Sequence, residues 1–373
     1  MLALSPVAET AVLIDPWGKR SEQRIEHRTD PLTGTVASIN TALGEKAMAF
    51  LGAADLVLLA ELEESSKRGC PFCDAPNRGT RYPPEQALPG DAGEARNPGQ
   101  LRRGNTIAVP NLFSKCARDS VVIIDYTQHV LSASKLGKPA LADALLLAGA
   151  LVRRAREQDP LLCHHVAGMN LLQPAGSSVP HPHLQVHARS VPYSGLQRLR
   201  EAGALFAQRH GRSYWSVLLE EERARGERYI GTTGSDTSDT AGNAANTGNG
   251  GSTEVTWLAP FAPGHQREVW GVLPGTGSLA ELTEAQAAAF ADGISRVVTA
   301  YEELGSNAFN FVFLSSPVAG DAATFSLQVR LCTQPAFRPL FSNYDTWFTP
   351  KFLGDDVHTE APEQTAARLR ARF

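Results

Sequence analysis

The stretch that decides the reading is Gly176–Ala188, "GSSVPHPHLQVHA", where His181, His183 and His187 stand at alternate positions behind a Gly-Ser-Ser loop. Residues two apart on a β-strand share a face, so His181, His183, Gln185 and His187 are expected along one side of a strand. Four polar groups on one face need partners or a ligand, because burying them unpaired is unfavourable. The loop points to the ligand. Gly176 lets the backbone approach closely, and Ser177, Ser178 and nearby N–H groups are suited to phosphate oxygens. An imidazole beside such a cradle suits nucleophilic attack on phosphorus: near neutral pH it is both a good nucleophile and a workable leaving group.

Outward from this stretch the chain repeats itself. "DSVVIIDYTQHV" reads as a strand, followed by an amphipathic helix opened by Pro139, "PALADALLLAGALVRRAREQ", and by a second strand leading into the histidine loop. The later part runs "REVWGVLPGTGS", then a helix with a Thr283/Gln286 capping box, then "FNFVFLSSPVAGDAATFSLQVRL". "HLQVHA" and "SLQVRL" fall at equivalent places, with Ser326 for His183, Gln328 for Gln185 and Arg330 for His187. The economical fold is α+β: a duplicated unit of antiparallel strands and packed helices, in two pseudo-equivalent halves. Between them, Gly231–Glu254 is almost wholly Gly, Ser, Thr, Asn and Asp, and reads as a disordered linker. The expected organisation is an N-terminal half over 1–230, a linker over 231–254 and a C-terminal half over 255–373.

Composition narrows the class. At 373 residues the chain can bury one large or two ordinary cores. A net charge of -4 without a Lys/Arg run argues against a nucleic-acid surface. No apolar run reaches membrane-spanning length, and the N-terminus lacks a basic leader, so a cytoplasmic location is expected. The five cysteines include Cys70-Pro-Phe-Cys73, a spacing that reads as a metal clip rather than part of a disulfide framework. Cys116, Cys163 and Cys332 read as ordinary buried thiols, and His164 and His165 as loop residues.

With these residues in view, the chain resembles galactose-1-phosphate uridylyltransferase and related nucleotide phosphorylases, a branch of the histidine-triad superfamily. The resemblance runs from "RTDPLTGT" (Arg28–Thr35) through "CPFC", "VPNLF" (Val109–Phe113) and Asn170 to His-Pro-His-x-Gln, and ends at "PEQTAARLR". It implies that His183 is the nucleophile, taking a nucleoside monophosphate from a nucleotide sugar and passing it to a sugar 1-phosphate. Gln185 would steady a non-bridging oxygen and, unlike a third histidine, not favour hydrolysis. Asn170, Gly176, Ser177 and Ser178 map onto the phosphate-binding stretch and Asn111 onto a nucleoside-binding position. His187 receives no role. The resemblance also completes a zinc site, adding His129 and His181 to Cys70 and Cys73: one structural Zn²⁺ per chain.

Three departures bear on specificity. "SINTALGEKAMAF" replaces an arginine-bearing run, Gln328 and Arg330 replace histidines that hold a second metal in some members, and Ser342–Asp356 replaces the hexose-recognising segment. The expected partners are small molecules, a nucleotide sugar and a sugar 1-phosphate, with neither nucleic acid nor membrane; self-association as a homodimer stays open. Two other functions stay open with it: a phosphorylase or hydrolase of nucleotide sugars or dinucleoside polyphosphates, and a non-catalytic nucleotide-binding zinc protein.

Overall fold

Alternation along the central strands shows how the molecule is layered. In a computed structural model, residues 2–44, 52–86, 99–234, 252–317, 321–341 and 349–373 are described. The strands are β1 (Val7–Ile14), β2 (Arg20–Thr29), β3 (Val36–Ile39), β4 (Leu101–Arg103), β5 (Thr106–Pro110), β6 (Arg118–Ile123), β7 (His164–Leu171), β8 (His183–Arg189), β9 (Tyr229–Thr233), β10 (Val255–Leu258), β11 (Val269–Leu273), β12 (Phe309–Leu314), β13 (Leu327–Thr333) and β14 (Asp356–His358). The helices are α1 (Leu56–Lys67), α2 (Ala75–Arg78), α3 (Lys138–Gln158), α4 (Ser194–His210), α5 (Tyr214–Arg225), α6 (Glu284–Glu303) and α7 (Pro362–Arg370).

Ten strands form one sheet in the order β4-β5-β6-β8-β7-β12-β13-β11-β10-β9. All its pairings are antiparallel, and the central pair β7·β12 sets Asn310 opposite Asn170. In β7 and β12 every second residue is buried. The buried set, Ala167, Met169, Leu171, Phe309, Phe311 and Phe313, packs with α3 and α6 in the main core. Each fully buried Leu or Phe contributes ~1.5–3 kcal/mol, and this face carries most of them. The other face exposes Gly168, Asn170, Asn310, Val312 and Arg330, and is partly roofed by α4 and α5 through Leu199, Tyr214 and Trp215.

The helices follow their sequence signals. Pro139 lies in the first turn of α3, whose buried stripe runs Leu141, Ala144, Leu145, Ala148 and Val152. α6 begins with the expected box, in which Thr283 Oγ1 accepts from Gln286 N and Thr283 N donates to Gln286 Oε1.

Several sequence expectations change. The linker is narrower than 231–254 at its start, since Gly231, Thr232 and Thr233 end β9 and pair with Trp257, Thr256 and Val255. β-Branched threonines beside an open strand edge outweigh the linker-like composition; residues 235–251 lie outside those described. The expected units also share elements. β9 pairs only into the later strands, and β14 joins β3 in a parallel pair within the second sheet, β1-β2-β3-β14. His164 and His165 open β7 rather than a loop, and His165 is 1% exposed. The residues around Lys46 and residues 342–348 of the Ser342–Asp356 segment fall outside the described residues.

Candidate active site

β8 starts at His183, so Pro182 ends the alternation and His181 stands just ahead of the strand. His183 is 6% exposed, and its Nδ1 lies 2.9 Å from the carbonyl oxygen of His181. A carbonyl only accepts, so Nδ1 carries the proton and Nε2 keeps its lone pair. Burial lowers the His183 pKa, the bond to His181 opposes that, and the charge on Lys115 lowers it again. The Phe72 ring meets the imidazole edge-on, with centroids 4.9 Å apart. Gln185 sits two residues on, opposite Gly168, half-buried and without a side-chain hydrogen bond among the described residues.

Behind His183 lies a Cys/His cluster. The ligand atoms of Cys70, Cys73, His129 and His181 all fall within 4.8 Å of one another. Cys73 Sγ is 3.4 Å from Nδ1 of both His129 and His181, and Cys70 Sγ is 3.8 Å from His181 Nδ1. Tetrahedral Zn–S and Zn–N bonds imply ligand–ligand edges of about 3.5–3.8 Å, so these spacings fit a metal ion. The remaining ring nitrogens are tied down as metal-bound histidines usually are: His129 Nε2 to Ser66 Oγ at 2.8 Å, His181 Nε2 to the Ile124 carbonyl at 3.2 Å. Burial holds His181 down at about 4, so it is neutral, and pushes Cys73 up to about 12, with Cys70 adding to the rise. Without a cation to draw off its proton, that thiol stays neutral. His129 is in the irregular segment after β6 and its following turn, not at a strand end.

The loop ahead of β8 differs from its expected role. Gly176 adopts φ +86, closing a turn in which Gly176 N donates to Gln173 O and Ser177 N to Leu172 O. The Ser177 hydroxyl donates to Val179 O. Those two N–H groups are therefore engaged within the turn, and Ser178 is the exposed residue with a free hydroxyl. Asn170 Oδ1 accepts from Asn310 Nδ2 at 2.6 Å, leaving its own amide nitrogen open. Asn111 is occupied at both ends, donating to Asp119 Oδ1 and accepting from Phe113 N, so it shapes the β5–β6 turn. His187 bonds Tyr193 Oη at 2.9 Å and stands 3.7 Å from Asp119. Asp30 of "DPLTG" caps its own hairpin turn, accepting from Leu32 N and Thr33 N.

Comparison with known structures bears on the fold. The structure superposes on an ADP-glucose phosphorylase from Arabidopsis thaliana with bound ADP-glucose at a TM-score of 0.67, with 14% identity, over 93% of this chain and 98% of that one. The chain has the same fold as that enzyme. A GalT-like protein from the same plant (TM-score 0.64, 14% identity) and a uridylyltransferase (0.58, 17%) have this fold too, each over 93% of this chain and 98% of the other. An uncharacterised protein of Archaeoglobus fulgidus is 27% identical over 356 residues, 95% of this chain and 94% of its own. No family model matches the chain.

Within this uridylyltransferase-like fold, two contributors carried no sequence signal of their own. Phe72 was hidden inside the CPFC clip, and Lys115 in a loop of unremarkable composition. Only folding brings Phe72 against His183 and the Lys115 charge into its field. No helix among the described residues is long and apolar enough to cross a membrane.

Proposed function

We propose that the chain is a nucleotidyltransferase that works through a covalent nucleotidyl intermediate on His183. The observation that carries this is the fixed tautomer: Nδ1–H is held by the His181 carbonyl, so Nε2 keeps the lone pair a nucleophile needs. Nε2 attacks the α-phosphorus of a nucleotide sugar; the P–N bond forms as the bond to the bridging oxygen breaks, and sugar 1-phosphate leaves. The imidazole becomes cationic, which strengthens its bond to the carbonyl. Gln185, with its amide unengaged, donates to a non-bridging oxygen where charge develops. In the second half an acceptor phosphate oxygen attacks, the P–N bond breaks and the lone pair returns to Nε2. Asn170 and Ser178 supply donors to the phosphates.

The Cys70/Cys73/His129/His181 cluster fits zinc, one per chain, in a structural role. When bound, the metal fixes His181, whose carbonyl in turn orients His183. The strand order supports reading the chain as two fused units. Each contributes three strands in the spatial order first, third, second (β6-β8-β7 and β11-β13-β12), joined back to back at β7·β12. The later unit carries Ser326, Gln328 and Arg330 in place of the reacting residues.

The test is incubation with radiolabelled UDP-, ADP- and GDP-sugars. Acid-labile label on the wild-type chain and none on His183→Ala supports the proposal; label on both, or on neither, refutes it. Discharging the labelled protein identifies the acceptor: sugar 1-phosphate for a transferase, inorganic phosphate for a phosphorylase.

A further inference from the structure

The second sheet ends in a strand that no described residue covers. β1 pairs with β2 along its whole length and stands at the edge of the order β1-β2-β3-β14. Every β1 residue except Ala11 is exposed, Val7, Val12, Leu13 and Ile14 among them. Trp17, in the turn beyond, is 88% exposed. Among the described residues the other sheet edges are less open. β4 and β14 have three residues each, and β9 is tied to α7 where Tyr229 O accepts from Arg370 Nε. A long, largely apolar free edge invites another strand, and soluble chains blunt such edges unless a partner covers them.

Hydrogen-bond direction defines what fits that edge. Asp15 N donates to Lys19 O, next to the pair Ile14 and Arg20. In an antiparallel ladder, every second residue turns its N–H and C=O to the same neighbour. Leu13, Ala11, Glu9 and Val7 therefore direct theirs to β2, and Ala8, Thr10, Val12 and Ile14 direct theirs outward. That edge is complementary to itself. A two-fold axis through Ala11 sets Ala8 opposite the partner's Ile14 and Thr10 opposite the partner's Val12, so every outward group meets a counterpart. An axis through Thr10 would instead set Ile14 opposite the partner's Pro6, which has no N–H to give. Charge favours the same arrangement. Glu9 is the one charged residue of β1; it lies 3.2 Å from His27 Nε2 of its own hairpin and would face the partner's Leu13. On β2 the charges are matched in pairs, Arg20 with Glu22 and Arg24 with Glu26.

We propose that β1 is an association strand whose occupant is a second copy of this chain. Two copies pair β1 to β1, antiparallel about an axis at Ala11, and so join their four-stranded sheets into one. The apolar side chains of β1 are then shared between the copies, and Trp17 comes against the partner's Ser5. β1 and His183 belong to different sheets, so the interface is independent of the proposed reaction.

Sedimentation equilibrium of the full chain tests it. Wild type should sediment as a dimer. Thr10→Pro removes an outward N–H and should weaken association about tenfold or more. Val12→Lys places a charge on the edge and should act likewise, which keeps the test valid if the proline distorts the hairpin. Leu161→Lys, at another exposed apolar residue, should associate as wild type does. The register is read by cross-linking under mild oxidation with diamide. Ala11→Cys should form a disulfide between copies, because directly opposed residues of a non-hydrogen-bonded pair have Cα atoms about 4.5 Å apart. Thr10→Cys is offset from its copy by two residues and should not. A wild type that is monomeric at every concentration, a dimer retained by both Thr10→Pro and Val12→Lys, or cross-linking through Thr10→Cys in place of Ala11→Cys overturns the proposal. A hetero-complex on β1 with a monomeric wild type overturns it too, since the edge then serves a different protein.

Discussion

A histidine nucleophile must hold its proton on one nitrogen and offer the other, and at His183 that division is made by a backbone carbonyl two residues back. Replacing His183 with Ala should abolish nucleotidyl labelling while thermal unfolding and metal content stay as in wild type; a variant that still labels shows the nucleophile to be elsewhere. Gln185 is open to two substitutions. Gln185→Ala should lower turnover about 10²-fold, the usual effect of losing one donor to a developing charge. Gln185→His should raise the ratio of hydrolysis to transfer, since an acid within reach of the leaving group assists water. Product analysis with and without acceptor measures both. That His183 and Gln185 share one strand was legible because the two-residue period is local. The engagement of Asn111 with Asp119 and Phe113 N was not, because it depends on how the β5–β6 turn closes.

At the scale of elements, the two long helices announced themselves by period and caps, and α3 and α6 lie where Pro139 and Thr283 indicated. What the period could not show is how closely α6 approaches β10. Gly293 sits under Trp257, and a Cβ there would fall 2.0 Å from the indole. Trp257 is fully buried and donates from Nε1 to Thr233 Oγ1, so it has no room to retreat. Gly293→Ala should therefore destabilise by about 1–3 kcal/mol or more, despite the better helix propensity of Ala. Urea unfolding measures this, and a neutral or stabilising result would mean the indole moves freely. Thr233 belongs to β9 and was read as linker because Gly-Thr-Thr is common to both; its role as the partner of Trp257 emerges only when β9 meets β10.

Across the whole molecule, two features tie distant segments together. The Cys/His cluster joins Cys70, Cys73, His129 and His181, so if it holds the proposed metal, removing the ion should loosen the N-terminal segments and His183 at once. Chelation, or Cys73→Ser, should lower the melting temperature by about 5 °C or more and depress transfer in parallel; elemental analysis before and after provides the check, and an unchanged melting temperature would dissociate the cluster from stability. The second feature is His165, whose Nε2 lies 2.7 Å from Ser315 Oγ and 3.1 Å from Ser278 Oγ, linking β7 to the segments flanking α6 and β12. Burial holds it down at about 4, against 6.5 in the unfolded chain. A depressed histidine means the unfolded state binds the extra proton. Its contribution is thus complete above pH 6.5 and is lost as pH falls toward 4, at up to about 1.4 kcal/mol per pH unit. Urea midpoints at pH 7, 6 and 5 should fall in that order, and His165→Gln should flatten the slope by that amount.

The sequence by itself determined what depends on near neighbours: a strand of period two carrying His183 and Gln185, two amphipathic helices with their starts, a Cys-x-x-Cys clip and the resemblance these carry. Those signals survive in a single chain because side-chain direction repeats every two residues on a strand and every 3.6 on a helix. The tertiary structure alone decided what depends on register between segments far apart in the chain. It aligned Gln185, Gly168, Val312, Arg330 and Trp270 into one row and drew β14 to β3. Register is set by packing the buried face against α3 and α6, and a shift of one residue would turn every side chain to the opposite side. The groups that share the open face are consequently a property of the assembled core.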